Sequence, residues 1–165
     1  MSKRRLPIWS INPPVARFRL HVRTSPIAGL GVFAREGIPP RRLVIEYGGD
    51  RITIAEAERR QRKRGNPERI CFAWLKGKWV IDGWKGNGAQ YVNHSCDPNL
   101  YSCKLRGHIL FFSARRIRTG EELTIDYRIS SRSSKVTCHC GSPHCRGVMN
   151  HTARRRRRRR GRRKK

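Results

Sequence analysis

The chain has 165 residues, with 39 Lys and Arg against 11 Asp and Glu, so its formal net charge is +28. This length allows one domain with tails, and no stretch approaches the roughly 18 apolar residues that a transmembrane helix needs. A charge this large predicts an anionic partner, such as nucleic acid, an acidic protein or a membrane surface. Simple solubility is the alternative, but it needs only about 2–8 net charges.

The N-terminal residues are basic, but no long apolar stretch follows them, so they lack the pattern of a secretory signal. We therefore expect an intracellular protein, in a compartment where thiols stay reduced. The six cysteines are accordingly interpreted as metal ligands or core residues before disulfides are considered.

Residues 1–16 contain three prolines and no periodic pattern, which predicts a flexible arm. A turn and a glycine-rich loop are expected at 26–31. Short alternating or β-branched segments predict strands, and their ranges are 18–22, 43–47, 70–75, 78–82, 108–112 and 123–127. No internal repeat is visible. The pattern therefore predicts a single, mainly-β domain.

One helix is predicted between the second and third of these strands. Thr53-Ile-Ala-Glu56 fits a capping box, and good helix formers continue to Lys63. Gly65 and Pro67 should end the helix. Because its sequence is largely polar, we expect it on the surface.

The C-terminal part contains a C-x-C-x4-C run formed by Cys138, Cys140 and Cys145. Three thiolates within eight residues suit a tetrahedral site, and sulfur ligands favour zinc. The candidates for a fourth ligand are Cys71, Cys96, Cys103, His139, His144 and His151. Three free or disulfide-forming thiols are the alternative interpretation.

Among these candidates Cys96 is preferred, because it lies in a polar loop that can present a ligand. Cys71 and Cys103 lie in strand-like segments and are more simply interpreted as small buried hydrophobic residues.

Three further features are weak evidence of function when each is considered alone. The G-x-G at Gly29 and Gly31 indicates an ordinary turn, and it lacks a full nucleotide-binding fingerprint. His94, within an unusual polar loop, would be a hydrogen-bonded structural histidine. Tyr127 would be a half-buried strand residue with its hydroxyl group satisfied.

Together, the segments resemble the SET-domain family. They are Gly-Leu-Gly-Val-Phe-Ala, Glu-Tyr-Gly-Gly, Asn-His-Ser-Cys, Gly-Glu-Glu-Leu-Thr-Ile-Asp-Tyr and the cysteine run, in the family's order and spacing across 17–148. The resemblance implies a β-clip-like fold of short sheets with a knot-like C-terminal threading. It divides the chain into a SET domain at 17–130 and a post-SET-like zinc segment at 131–150.

The resemblance also implies an S-adenosylmethionine-dependent protein-lysine methyltransferase. The cofactor-binding residues would be Gly29, Leu30, Gly31, Asn93, His94 and Tyr127. Tyr127 would be the catalytic tyrosine, which positions the amine first and acts as a base second, and Tyr47 would help line the lysine channel. The ligands of a structural zinc ion would be Cys96, Cys138, Cys140 and Cys145.

Two departures from the family pattern concern single positions. Gln90 replaces a basic residue that family members often have in this segment. Ile125 stands two residues before the catalytic tyrosine, where Phe or Tyr usually tunes the number of methyl groups. Because Ile has no hydroxyl group to hold a water molecule, we expect addition of more than one methyl group.

The tail at 151–165 contains seven consecutive arginines and is expected to be disordered. Eleven of the +28 charges lie in 154–165, which leaves +17 for the rest of the chain. Such a tail should bind nucleic acid with little sequence preference and strong salt dependence. A nuclear-import signal and a merely solvated tail are the alternatives.

The leading function is methylation of a lysine in a protein substrate, such as a histone or another basic DNA-associated protein, by a monomeric enzyme with no membrane partner. The enzyme would act at nuclear chromatin, or in the cytoplasm or nucleoid of a bacterium. The alternative is a catalytically weak, zinc-stapled module that binds nucleic acid. A hydrolase using Cys96 and His94 is disfavoured, because the metal role competes for the cysteine.

Overall fold

The computed structural model describes residues 9–11, 15–65 and 71–151. Within these ranges the secondary structure consists of short strands, one α-helix and one 3-10 turn. The strands are β1 (Trp9–Ile11), β2 (Leu20–Thr24), β3 (Leu30–Ala34), β4 (Leu43–Glu46), β5 (Asp50–Thr53), β6 (Phe72–Trp74), β7 (Trp79–Asp82), β8 (Asn93–His94), β9 (Leu100–Leu105), β10 (His108–Ser113) and β11 (Glu122–Ile125). The α-helix α1 is Ile54–Arg64, and the 3-10 turn is Ala89–Tyr91.

The strands form three small sheets. The first has the order β1-β2-β3-β11-β8, and its β11–β8 pair is parallel. The other two are antiparallel, with the orders β4-β10-β9 and β5-β7-β6. The mainly-β class with short sheets and one helix is thereby confirmed, while the knot-like threading stays a prediction.

The observed boundaries of the helix agree with the predicted ones to within one residue. Thr53 is the N-cap, and its hydroxyl oxygen accepts a hydrogen bond from the Glu56 amide at 3.3 Å. Gly65 ends the helix with a φ of 60°, which glycine adopts without strain. Ala57 faces inward and packs with Ile52 and Val80 in a small core of its own.

An ion-pair network fixes this helix on the third sheet. Asp82, at the end of β7, has a side chain that is only 1% exposed and contacts Arg64 at 2.6 Å and Arg60 at 2.9 Å. Burial alone would raise the pKa of Asp82, but hydrogen bonds from the two guanidinium groups outweigh burial and lower it. A buried carboxylate is tolerated here because both cations accompany it.

The segment expected to be an arm is partly structured. β1 pairs with β2, and Ile11 is buried. The Ile11 side chain occupies the space that a Cβ on Gly88 would need. Three residues between prolines are too few to show a strand period, so the sequence did not predict this strand. The rest of the expected arm, at 1–8 and 12–14, lies outside the described residues, as do 152–165 of the tail.

Strand β9 contains Cys103, which the sequence placed in a strand-like segment, but every residue of this strand after Leu100 is exposed. Cys103 lies on this strand, so the expectation that it is buried is wrong. Cys71, in contrast, is buried as expected, at 1% exposure.

The main core lies among the strands of the first two sheets. Its fully enclosed side chains include Leu20, Val32, Ile45, Leu100 and Leu123. Strand β11 runs through this core and ends at Ile125, and Tyr127 packs against the core just beyond the strand. No helix in the described ranges is long and apolar enough to span a membrane.

Candidate active site and cysteine cluster

The glycine loop is the tight turn of the β2–β3 hairpin. The Ser25 amide donates a hydrogen bond to the Gly29 carbonyl at 2.9 Å, and Thr24 pairs with Leu30 where β3 begins. Gly29 has a φ of 47°, and nothing lies within 4 Å of the place where a Cβ would be. The turn is therefore closed by its own backbone, and its outer side is open.

A carboxylate holds this turn from its inner side. The hydroxyl group of Ser25 donates to the Glu122 carboxylate at 2.8 Å, and the Asn93 side-chain amide donates to it at the same distance. A Cβ on Gly31 would clash with the Glu122 carboxylate, so a side chain there would displace this carboxylate from its present contacts. Glu122, at the start of β11, thus connects the hairpin with β8.

Asn93 reaches the glycine loop directly as well. Its side-chain nitrogen lies 3.2 Å from the Ala28 carbonyl oxygen and 3.0 Å from the Leu30 carbonyl oxygen. Because the amide group is buried, these contacts replace its hydration. The side chain of Asn93 therefore fixes the loop whose outer side is open.

His94 is enclosed, with none of its side chain exposed. Its Nδ1 accepts a hydrogen bond from the Tyr127 amide at 3.1 Å, and its Nε2 lies 3.5 Å from the Cys96 sulfur. Burial lowers the pKa of His94, so the ring is neutral at pH 7. A neutral ring that accepts at Nδ1 carries its proton on Nε2, which then points to the sulfur.

Tyr127 lies beside this histidine, with the two rings edge to face at 5.4 Å. Its hydroxyl group donates to the Val92 carbonyl oxygen at 3.0 Å. Burial, with a smaller contribution from the Glu122 carboxylate, raises the pKa of Tyr127. The hydroxyl group therefore stays protonated at physiological pH and is suited to positioning rather than to accepting a proton.

Tyr47 is held at a different place, just after β4. Its hydroxyl group donates to the Cys71 carbonyl oxygen at 2.7 Å, and its ring packs against Phe111. A Cβ on Gly83 would clash with the tyrosine ring, so the glycine leaves room for it. The role of Tyr47 in a lysine channel stays a prediction.

The four predicted zinc ligands come together. The sulfur atoms of Cys96, Cys138, Cys140 and Cys145 all lie within 4.8 Å of one another. The Cys96 and Cys138 sulfurs are 3.7 Å apart. In a tetrahedral site with Zn–S bonds of about 2.3 Å, sulfur atoms are about 3.8 Å apart. Both the donor set and its spacing therefore fit a zinc ion.

The cysteine cluster is connected to the tyrosine in two ways. One connection runs from the Cys96 sulfur through the His94 ring to the Tyr127 amide. The other is an ion pair of 3.0 Å between Arg146 and Asp126, whose side chains are each about one-fifth exposed. The cysteine-rich segment thus packs on the residues that precede and position Tyr127.

The C-terminal segment is also fixed by Asn150. This buried side chain donates to the carbonyl groups of Ser130, Ser133 and Ser134, and it accepts a hydrogen bond from the Val136 amide. Such bonds order a serine-rich stretch that has few apolar side chains of its own. The segment is therefore placed by polar contacts as well as by its sulfur atoms.

The structure adds residues that the sequence reasoning did not assign to the site. Glu122, Ser25 and Arg146 connect the loop, the asparagine and the cysteine cluster. Glu122 lies within a quoted motif, which was a usable signal. Ser25 and Arg146 gave no signal, because their partners are distant in the sequence.

Comparison with known proteins gives a consistent result. The model of the family described as "SET domain" matches residues 29–128, which is more than half of the chain. The matched range contains the glycine loop, Asn93, His94 and Tyr127.

Several curated relatives cover most of the chain. "Histone-lysine N-methyltransferase trithorax" of Drosophila virilis is 35% identical over 142 residues, which are 82% of this chain and 4% of the relative. "Histone-lysine N-methyltransferase 2B" of Homo sapiens is 36% identical over 78% of this chain and 5% of the relative. "Histone-lysine N-methyltransferase, H3 lysine-4 specific" of Schizosaccharomyces pombe is 37% identical over 80% of this chain and 15% of the relative. The chain thus spans only a small part of the length of each.

Proposed function

This chain belongs to the SET-domain family, and from that premise we propose that it is a protein-lysine N-methyltransferase that uses S-adenosylmethionine. The substrate would be a lysine of a histone or of another basic, DNA-associated protein, and the enzyme would act at chromatin. The names of the relatives support the histone, although the chain spans little of their length.

The observation that carries the proposal is the convergence of three segments. Asn93 and Glu122 hold the glycine loop, and next to them His94 binds the backbone of Tyr127. A module that only binds nucleic acid does not need this arrangement. The arrangement therefore favours catalysis over the alternative of a zinc-stapled binding module.

The loop provides a suitable place for the cofactor. The space beside Gly29 is open, and the Glu122 carboxylate gives negative charge beside the loop, which complements a cation. When bound, S-adenosylmethionine supplies an electrophilic methyl group on a positively charged sulfur. The backbone of Gly29, Leu30 and Gly31 would contact it, and His94 would do so through its backbone, since both ring nitrogens face protein atoms.

The protein must also hold the lysine amine in its neutral form. Free lysine has a pKa near 10.4, and transfer into a dry site lowers that pKa. The Tyr127 hydroxyl group donates to Val92, so its oxygen can accept an N–H from the amine and aim the nitrogen lone pair. Holding two reactants in line contributes up to about 7–11 kcal/mol in favourable models.

Zinc would be structural in this proposal. Cys96, Cys138, Cys140 and Cys145 would hold it, and it would connect the C-terminal segment to the Asn93–Cys96 loop. The ion would take no part in the reaction. Its effect on catalysis would pass through the contact between the Cys96 sulfur and His94 and through the ion pair between Arg146 and Asp126.

Transfer of labelled methyl groups tests the proposed activity. The full chain is incubated with labelled S-adenosylmethionine and either histones or basic bacterial chromatin proteins, and the labelled residues are identified by mass spectrometry. Label on lysine supports the proposal. Cofactor binding without transfer to any of these substrates, combined with tight nucleic-acid binding, would favour the alternative of a binding module.

We expect Glu122→Gln to weaken cofactor binding about 10- to 100-fold, because the hydrogen bonds of Ser25 and Asn93 to this charged group contribute about 1.5–3 kcal/mol and hold the loop that would contact the cofactor. In one of its two orientations, the new glutamine side chain would also point its NH2 group at the NH2 group of Asn93, so that two donors would face each other. Calorimetric titration with S-adenosylmethionine measures the effect. Glu58→Gln, on the exposed side of α1, is the control and should bind normally. Equal affinity of the two variants would contradict the role of Glu122.

The number of methyl groups is a separate prediction. Ile125 is buried and apolar, so it cannot hold a water molecule by a hydroxyl group. We expect di- or trimethylated product in mass spectra of a peptide substrate after long incubation. Ile125→Tyr should shift the products toward the monomethyl form, and a purely monomethylated product of the unmodified enzyme would refute the prediction.

We also propose that the arginine-rich tail binds nucleic acid and keeps the enzyme near its substrate. Seven consecutive arginines at 154–160 support this, because cations that replace condensed counterions bind phosphate backbones. Deletion of 154–165 should weaken DNA binding at low salt. Unchanged affinity would argue for the import-signal or solvated-tail interpretation instead.

A further inference from the structure

A groove lies between the third sheet and the β9–β10 hairpin, and no residue of the cysteine cluster lines it. Its volume is about 460 Å³. Its walls carry four cations together with an apolar part, and these side chains are Arg51, Leu75, Lys76, Trp79, Lys104 and Arg106. In the described ranges no acidic side chain lines it.

Contacts between the two sheets give the groove a defined shape. Lys104 of β9 donates from its ammonium group to the Leu75 carbonyl at 3.2 Å. The Arg51 guanidinium group lies 4.8 Å from the centre of the Trp79 ring. A Cβ on Gly107 would be 3.3 Å from the same guanidinium group, so the hairpin turn lies directly over Arg51.

The four cations share a further property. Among the residues that the structure describes, none of Arg51, Lys76, Lys104 and Arg106 forms an ion pair, whereas Arg60 and Arg64 of the nearby helix both do. Four like charges around one groove repel one another, and they focus a positive potential into it. An anion bound there would remove the repulsion.

We propose that this groove binds a single-stranded nucleic acid, with its phosphates on the four cations and a base or sugar against Trp79 and Leu75. A positively charged groove with an aromatic wall is the arrangement that suits single strands. An acidic peptide would use the cations but has no need of the apolar wall. The inference does not depend on methyl transfer, and the site is separate from the tail.

The test compares two variants of the full chain that have the same net charge. The groove variant carries Lys76→Gln, Lys104→Gln and Arg106→Gln. The control variant carries Arg116→Gln, Arg132→Gln and Lys135→Gln, three exposed residues outside the groove. Fluorescence anisotropy with a labelled oligothymidylate gives the dissociation constant across a series of salt concentrations, and thermal unfolding verifies that both variants fold.

We expect the groove variant to bind about tenfold more weakly at low salt, with a salt slope shallower by about 2, because each lost phosphate contact on a single strand contributes about 0.7. The control variant should change about twofold or less. Ultraviolet crosslinking should give nucleotide adducts on peptides that contain Trp79 or Lys104 in addition to any on the tail.

Equal behaviour of the two variants, with adducts confined to the tail, would overturn the proposal. An equal loss of affinity of the groove variant for polyglutamate would assign the groove to acidic proteins instead. If the triple variant does not fold, the single changes Lys76→Gln and Lys104→Gln, at exposed positions, serve in its place, each with an expected slope change of about 0.7.

Discussion

Replacing Tyr127 by phenylalanine is expected to lower kcat about 100- to 1,000-fold, if loss of this preorganised acceptor costs as much as loss of one preorganised donor in other active sites. The ring would keep its edge-to-face contact with His94, and the amide would keep its hydrogen bond to the His94 ring. Only the hydroxyl group that we propose aims the amine would be lost. Cofactor affinity should therefore change by less than about threefold. Variants of the glycine loop, in contrast, should lower cofactor affinity more than they lower kcat.

The measurement is single-turnover methyl transfer at saturating cofactor, together with calorimetric titration of S-adenosylmethionine. Tyr101→Phe is the matched control, because Tyr101 lies on the exposed strand β9 and is 43% exposed. The lost bond to the Val92 carbonyl should reduce the free energy of unfolding by about 1 kcal/mol. Near-normal kcat in Tyr127→Phe would refute the catalytic role.

Loss of the cysteine cluster is expected to have the second large effect. Purified protein should contain one zinc ion per chain, and Cys138→Ser should contain much less. Since structural zinc contributes to folding directly, we expect the free energy of unfolding to fall by about 3 kcal/mol or more, which lowers Tm by about 10 °C for a chain of this size. Atomic emission and thermal unfolding provide readouts that do not depend on catalysis.

Cys103→Ser is the control for this experiment, because Cys103 is an exposed cysteine outside the cluster. It should retain zinc and Tm. Hydrogen exchange in the Cys138 variant should increase at 138–150 and at His94, which contacts the Cys96 sulfur. A Cys138→Ser protein with unchanged zinc content and Tm would show that the four sulfurs do not form the metal site.

The two predictions are physically coupled. The His94 ring contacts the cysteine cluster at one nitrogen and the Tyr127 backbone at the other. Losing zinc should therefore lower kcat through misplacement of Tyr127, even where cofactor still binds. Such a kcat effect without a matching change in cofactor affinity would distinguish positioning from general unfolding.

Locally encoded features could be predicted from the sequence by itself. The Thr53 cap and the Gly65 terminus of α1 depend on residues only a few positions apart, where chain connectivity brings partners together at a small entropic cost. The same holds for the three cysteines of the C-x-C-x4-C run. The order of the motifs also predicted the SET-domain family, which the family comparison confirmed.

Only the tertiary structure decided how distant groups meet. Ser25 and Glu122 are 97 residues apart in the sequence, and Asn93 and Glu122 are 29 apart, yet each pair is in contact. The exposure of β9 and the cation groove likewise depend on which strand faces pack against each other. Residue type determines the chemistry that a side chain can perform. Packing of the sheets determines which charges and hydrogen-bond donors surround it, because these contacts join segments that are far apart in the sequence and that local propensity cannot bring together.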